Sequence, residues 1–480
     1  MNDVSIIDIG IVVLYLMMCV VVGLHKYRSI KTLREYTLGR GYFSNTVIIS
    51  TIFATYMGAS PLLGTLEKIY QYGIFFIIPL LYMPCFWLIA AKVFGNNIDQ
   101  FRGCMSISDI MELLYGKVGR RVTNITSVLL STVLVAAQAK AIGYLLHYFL
   151  HISPTCSVII GILVLAVYSA FGGIRAVALT DVFQFAVFIV ILPLICSYTY
   201  HNIGGYEVIT KALAKEVYTF NLNEGNIWLF VSILFCTLLP CTGGSYIQRF
   251  LLSRSSWQLV DCLQKVAIVH LFFIIVICMM GIIIKIKEPN LAPPTAFIYF
   301  MDNHLSAGAK GLIIAGLLAV VMSTADSWLN NASALCAHEI VNKFVILTDN
   351  QALLVARVCT FIVAILAVFL SFFEKGIMEL NWIAGNLWTT FIMVPLVAGF
   401  LKFRTNSKSF MVGIVMAIIF TCISGCVVNA LATISLMWGI IGNCVGLFGM
   451  HYWQKYKGLN PKPKSSSSVY RVSSIDTYPW

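Results

Sequence analysis

GLIIAGLLAVVMSTADSWLNNASALCAHEI occupies residues 311–340. It begins as an apolar run long enough to enter a bilayer, then sets Ser323, Thr324, Asp326 and Ser327 near its middle. An acid at the centre of a membrane helix costs roughly 2.5 to 3.5 kcal/mol even on insertion scales, so such a residue is by default functional or faces a water cavity. On a 3.6-residue helix Val320, Ser323, Thr324, Ser327 and Asn331 project to one side, with Asp326 and Asn330 at its margin. The hydroxyls therefore form a stripe, which is open to two readings. Small polar residues commonly bond back to a carbonyl one turn earlier or across a helix contact. A stripe of oxygens also suits a small hard cation such as sodium, which exchanges its water shell for hydroxyls and for carbonyls released from a helix.

The rest of the chain fits a membrane setting. Of 480 residues, 59% are hydrophobic and only 11% charged, and the mean hydropathy is +0.87, far more apolar than a soluble core requires. The expected class is an all-α polytopic membrane protein, with residues 1–453 as the transmembrane domain and 454–480, containing PKPKSSSS, as a disordered tail. The net charge of +12 is a matter of which loops hold the cations, and no nucleic-acid partner is expected. The 14 cysteines sit singly in apolar runs without CxxC spacing, and no HExxH is present, so no metal centre is indicated. Asp3 and Asp8 precede the first apolar run where a cleavable signal would carry basic residues, so that run is expected to remain as a span.

At about 20 residues per crossing there are about thirteen spans, centred near residues 15, 56, 84, 136, 163, 188, 238, 274, 322, 362, 391, 418 and 443. With the N-terminus outside, the inner loops collect Lys26, Arg28, Arg34, Lys92, Arg102, Lys117, Arg120, Arg121, Arg254, Lys402, Arg404 and the basic tail, whereas the outer loops hold only scattered lysines such as Lys68, Lys211 and Lys287. The positive-inside rule then makes the C-terminus cytoplasmic, in a cell (inner) membrane whose lipids surround the chain. Two spans are interrupted: FATYMGASPLLG (53–64) by Gly58, Pro61 and Gly64, and LLPCTGGSYIQR (238–249) by Pro240, Gly243 and Gly244. Glycine and proline are frequent in membrane helices generally. Their recurrence five spans apart is nevertheless the pattern of two inverted five-helix repeats, about 45–200 and 227–403, each opening with a discontinuous helix, and with extra helices at both ends.

Other polar residues lie within apolar runs. Gln138 and Lys140 share LVAAQAKAIGYLL (134–146); Gln138 is expected to touch solute, and Lys140 to pair or to snorkel. Thr55, Tyr56, Gly243 and Gly244 are expected in the solute pocket. Arg249 fits a lipid-phosphate anchor or a gate equally well.

Four stretches carry a resemblance. STADSWLNNASALCAHEI (323–340) is similar to the STADS-x-L-x-x-x-S signature of the sodium:solute symporter family, and AFGGIRAVALTDVFQF (170–185) to its GG-x-x-A-V-x-x-T-D-x-x-Q signature. IFATYMGAS, followed by Tyr70 and Gly73, and Gln248-Arg249 are weaker matches. The resemblance implies a leucine-transporter-type fold, alternating access, and a sodium ion held by the carbonyls of Ala54, Met57 and Val320 and the hydroxyls of Ser323 and Thr324. Val320 stands where alanine is common, which matters little for a carbonyl ligand. Asp181 matches an acid near the cytoplasmic exit that in some members helps bind a second sodium; Asp326 replaces a serine of that second site, and Asp326 and Ser327 are the remaining ion-coupling candidates. The function implied is sodium-coupled import of a small organic solute, such as an amino acid or pantothenate, with sodium as coupling ion, no cofactor and no enzymatic activity. The alternatives are a transporter-like sensor, with no kinase expected after the last span, and a multi-pass membrane enzyme, for which convergent acid, base and nucleophile residues are lacking.

Overall fold

A computed structural model describes residues 5–25, 30–39, 43–202, 205–211, 227, 230–231, 234–235, 239, 243–343, 347–373, 380, 385–427 and 433–459. Within them the chain is helical throughout its regular structure. Eight helices are long and apolar enough to cross a membrane, nine if a bent pair counts as one span. Helices cover every expected centre except that near 238, which lies outside the described residues together with Pro240 and Asn381–Ala384.

The helix Ala309–Lys343 forms the hub. Its most apolar part is 94% buried, against 28% for the peripheral first helix Ile6–Leu24. That difference explains why a stripe of hydroxyls and amides is tolerated there: it faces other helices, whose polar groups can answer it. The hub packs against Ile107–Leu150, Pro154–Asn202 and Asp349–Ser371, and on another side against Ile6–Leu24 and Asn45–Tyr56.

Two long helices contain a turn. Pro154–Asn202 is interrupted at Gly173, with φ +52°, where a Cβ would come within 2.8 Å of the Tyr36 ring and 2.9 Å of its carbonyl. Only glycine fits a left-handed backbone pressed this closely against a neighbour. This is the turn expected between the fifth and sixth spans. Ile107–Leu150 breaks likewise at Gly116, φ +72°.

The second span is broken as its composition suggests. Asn45–Tyr56 and Ser60–Tyr72 meet at 60°, with Met57 out of helical geometry at φ −79°, ψ 85°. A helix end strands its last carbonyls and the next segment's first amides, and inside a membrane no water is at hand to satisfy them. Here side chains from other helices do so. Gln138 Oε1 accepts from the Ala59 amide at 2.8 Å, and the Ala54 carbonyl accepts from two hydroxyls of the hub.

Loop contacts gather at two opposite ends, joined by the helix Ser256–Lys287. At its start Ser256 donates to Asp99 (2.6 Å), Arg102 donates to the Ser253 carbonyl, and Arg404 reaches Gln100 (2.9 Å) and the Gly399 carbonyl (2.6 Å). Partial burial works to raise the Asp99 carboxyl, but the Ser256 hydroxyl and Arg102 outweigh it and hold the group below its ordinary range. At the far end the Tyr70 hydroxyl bonds the Glu288 carbonyl (2.5 Å) and accepts from the Leu291 amide (2.9 Å).

Candidate ion-binding site

The break in the second span and the hydroxyl stripe of the hub meet. Ser323 Oγ lies 3.1 Å from the Ala54 carbonyl and 2.9 Å from the Val320 carbonyl, and Thr324 Oγ1 lies 3.0 Å and 3.5 Å from the same two oxygens. The packing reading of the stripe is thus present in full, since each hydroxyl bonds back along its own helix and across to the broken one, and these are the same oxygens that the ion reading names. Ala54, Val320 and Ser323 are wholly buried and Thr324 is 5% exposed. Close approach is permitted by Gly58, where a Cβ would stand 2.8 Å from Thr324 Oγ1. Four oxygens about one hydrogen-bond length apart, two from hydroxyls and two from carbonyls, form a neutral donor set of the kind a hard monovalent cation can share. Met57, whose carbonyl the family resemblance adds to this set, lies at the non-helical turn that ends Asn45–Tyr56.

One turn away on both helices lies a second polar layer. Thr51 donates to Asp181. Thr55 Oγ1 stands 2.6 Å from the Thr51 carbonyl and 2.9 Å from Ser327 Oγ. Arg249 Nη2 donates to Ser327 Oγ at 2.5 Å and lies 3.9 Å from Asp181 Oδ2, while Nη1 reaches Ser245 Oγ at 3.0 Å. Asp181 and Arg249 are both 0% exposed, which overturns the lipid-phosphate anchor for Arg249: no part of the side chain reaches a lipid. Asp326 belongs to a neighbouring pocket, its Oδ2 accepting from the Tyr168 hydroxyl at 2.8 Å with Thr180 Oγ1 at 3.2 Å.

The expected solute-pocket residues are spread more widely. Thr55 faces the Ser327 layer just described. The Tyr56 ring lies among Phe86, Trp87 and His270, with centroids 6.4, 5.3 and 4.7 Å away. Trp87 donates to His270 Nδ1 at 3.0 Å, and the ring chain continues through Tyr246 to Trp328. Gln138 holds the Ala59 amide. A Cβ on Gly243 would meet the Trp328 ring at 2.4 Å, and one on Gly244 would meet Ser127 Oγ at 2.4 Å; these glycines let the seventh segment press against the hub and the fourth. Lys140 Nζ donates to the Phe373 carbonyl at 2.7 Å.

Sequence reasoning did not single out Thr51, Tyr168, Thr180 or Ser245. Thr180 directly precedes Asp181, and a threonine–aspartate pair inside an apolar run is itself a signal. Thr51, Tyr168 and Ser245 carry no local mark.

The arrangement of a broken helix against a buried polar hub is that of the leucine-transporter-type sodium symporters. Over 96% of this chain and 99% of the other, the fold superposes on a substrate-bound, outward-open sodium-coupled sialic acid symporter with a TM-score of 0.83 at 18% identity. The sodium:solute symporter family matches residues 36–417, and the chain belongs to that family, among sodium-coupled transporters of small organic solutes. It is 24% identical to a sodium/sialic acid symporter of Aliivibrio fischeri over 84% of this chain and 85% of that one. It is also 24% identical to a putative sodium-dependent multivitamin transporter of Drosophila melanogaster over 77% of this chain, spanning 66% of that relative's length.

Proposed function

We propose that the protein imports a small organic solute together with sodium by alternating access, and that the ion is held by the carbonyls of Ala54, Met57 and Val320 and the hydroxyls of Ser323 and Thr324. The observation that carries this reading is the convergence of both hydroxyls on the Ala54 carbonyl, at 3.1 and 3.0 Å, where a helix has been interrupted. Sodium would replace those two hydrogen bonds with ligand contacts and so tie the broken helix to the hub. A bound ion that favours one arrangement of these elements shifts the population toward the form that accepts solute. Residues of about 45–200 and 227–403 act as the two inverted repeats, and Gln138, Tyr56 and the glycines of the seventh segment surround the solute path.

The relatives carry solutes as unlike as vitamins and sialic acid, so the solute is read from this chain alone. Aromatic rings and one buried amide, with no charged side chain between them among the described residues, favour a small amino-acid-like or vitamin-like molecule held by stacking and hydrogen bonds. The chain acts as a carrier and not as an enzyme: Asp181 and Asp326 face hydroxyls and a guanidinium.

Sodium activation of uptake in proteoliposomes, screened with labelled amino acids, vitamins, monocarboxylates and sugars, tests the reading. Ser323→Ala and Thr324→Ala each remove one oxygen from a charged partner, worth ~1.5 to 3 kcal/mol, or about ten- to a hundredfold in sodium affinity. Cys278→Ala, on another helix, leaves it unchanged. Equal sodium affinity in all three variants would refute the site, and solute binding without flux would make the protein a receptor.

A further inference from the structure

We propose that Arg249 is the resident cation of the locus formed by Asp181 and Ser327, standing where a second sodium would otherwise bind, so that the chain takes up one sodium ion and not two. The inference rests on the sodium site proposed above and concerns the layer one turn beyond it. Thr51 lies three residues before Ala54, and Ser327 three residues after Thr324, so this layer repeats the pairing of the same two helices one helical turn along. A second ion would be expected at such a repeat.

Two oxygens there, Ser327 Oγ and Asp181 Oδ2, already face a positive charge. Ser327 Oγ sits between Arg249 Nη2 at 2.5 Å and Thr55 Oγ1 at 2.9 Å. Asp181 Oδ2 accepts from Thr51 and lies 3.9 Å from the same guanidinium. An arginine cannot shed its proton in a protein, so the charge is permanent and a sodium ion placed against Ser327 would meet like charge at contact range. The guanidinium is fixed from its other side by Ser245, whose hydroxyl and carbonyl accept from Nη1 at 3.0 and 3.3 Å. It is fully buried and has no water to retreat into.

Arg249 thus stands against Asp181, while Asp326, also 0% exposed, belongs to the neighbouring pocket, where its Oδ2 lies 2.8 Å from the Tyr168 hydroxyl and 3.2 Å from Thr180 Oγ1.

Equilibrium binding of radioactive sodium to the purified full-length protein, without any solute, tests this. The wild type is expected to bind one sodium per chain with a Hill coefficient of one. Arg249→Gln removes the charge and keeps the hydrogen-bonding shape, and it is expected to bind two; the double variant Arg249→Gln/Asp181→Asn returns to one. Two sites in the wild type, or a single site in a folded Arg249→Gln variant, would overturn the proposal. Should Arg249→Gln fail to fold, Asp181→Asn decides: the proposal has Asp181 facing Arg249 and not sodium, so the count stays at one, whereas loss of a site would show that Asp181 is a ligand. No binding by the wild type would instead refute the Ser323–Thr324 site, and this inference with it.

Discussion

Gly58 shows how narrow the tolerances are around the oxygens proposed to hold sodium. Its missing side chain lets Thr324 approach the broken helix, and a methyl group there would lie 2.8 Å from Thr324 Oγ1 and 2.9 Å from its Cγ2. Gly58→Ala therefore displaces a proposed ligand while leaving every ligand atom present. Sodium raises the melting temperature of a protein that binds it only when folded, in proportion to RT ln(1 + [Na]/Kd). The expected result is a sodium-dependent thermal shift that needs more than ten times the wild-type salt, an estimate of about 1.4 kcal/mol lost, and an unchanged sodium dependence would count against the geometry. Ser323 and Thr324 were legible from the sequence because helical periodicity alone puts two hydroxyls on one face of an apolar run. Arg249 was not. Its position near the end of an apolar run satisfies the positive-inside rule, and only the tertiary approach permitted by Gly243 and Gly244 shows that the guanidinium is enclosed.

Among the elements, the hub is held at its start by a residue from a different helix. Asp8 is 1% exposed, and its Oδ1 accepts from the Gly308 amide at 2.8 Å and the Gly311 amide at 2.6 Å. These are amides that a helix start leaves without partners, and the carboxylate also complements the positive end of the helix dipole. A Cβ on Gly311 would stand 2.7 Å from the Asp8 Cα, so the first helix and the hub touch backbone to backbone here. The peripheral first helix thus anchors the element that carries Ser323 and Thr324. Asp8→Ala leaves two enclosed amides unsatisfied, at a cost of about 1 to 3 kcal/mol, and should speed amide hydrogen exchange over the first turns of Ala309–Lys343. Asp8→Asn keeps the accepting oxygen and should lose less. Uniform exchange across the whole helix in Asp8→Ala would show that the contact is not a local anchor. From the sequence, Asp8 read only as evidence against a signal peptide, because a cap supplied across 300 residues has no local pattern. By contrast, the break at Gly58 was readable, since two glycines and a proline mark it directly.

Across the whole molecule, the distribution of charge predicts an orientation that can be tested. The helix Ser256–Lys287 has 32 residues, about 48 Å at 1.5 Å per residue, longer than the ~30 Å hydrocarbon core, so its two ends lie on opposite sides of a bilayer. The end at Ser256 gathers Arg102 and Arg404. Arg120 bridges Asp109, Glu112 and Glu339 at 3.1, 2.7 and 3.0 Å, close to the basic residues Lys117 and Arg121 in sequence. The other end has Glu288 and His304, paired at 3.0 Å, and the Asp8 anchor. Basic side chains retained on one side give the positive-inside rule its sign, which predicts the Ser256 end on the cytoplasmic side. In cells carrying Cys156→Ala and Cys422→Ala, the exposed cysteines among those described, an impermeant maleimide added outside should modify Lys287→Cys and spare Lys402→Cys until the membrane is permeabilised. The reverse pattern would invert the topology. It would also place Asp181, on the Ser256 side of the Ser323–Thr324 oxygens, at the outer mouth, and the polar layer of Arg249 would then govern sodium entry in place of sodium release.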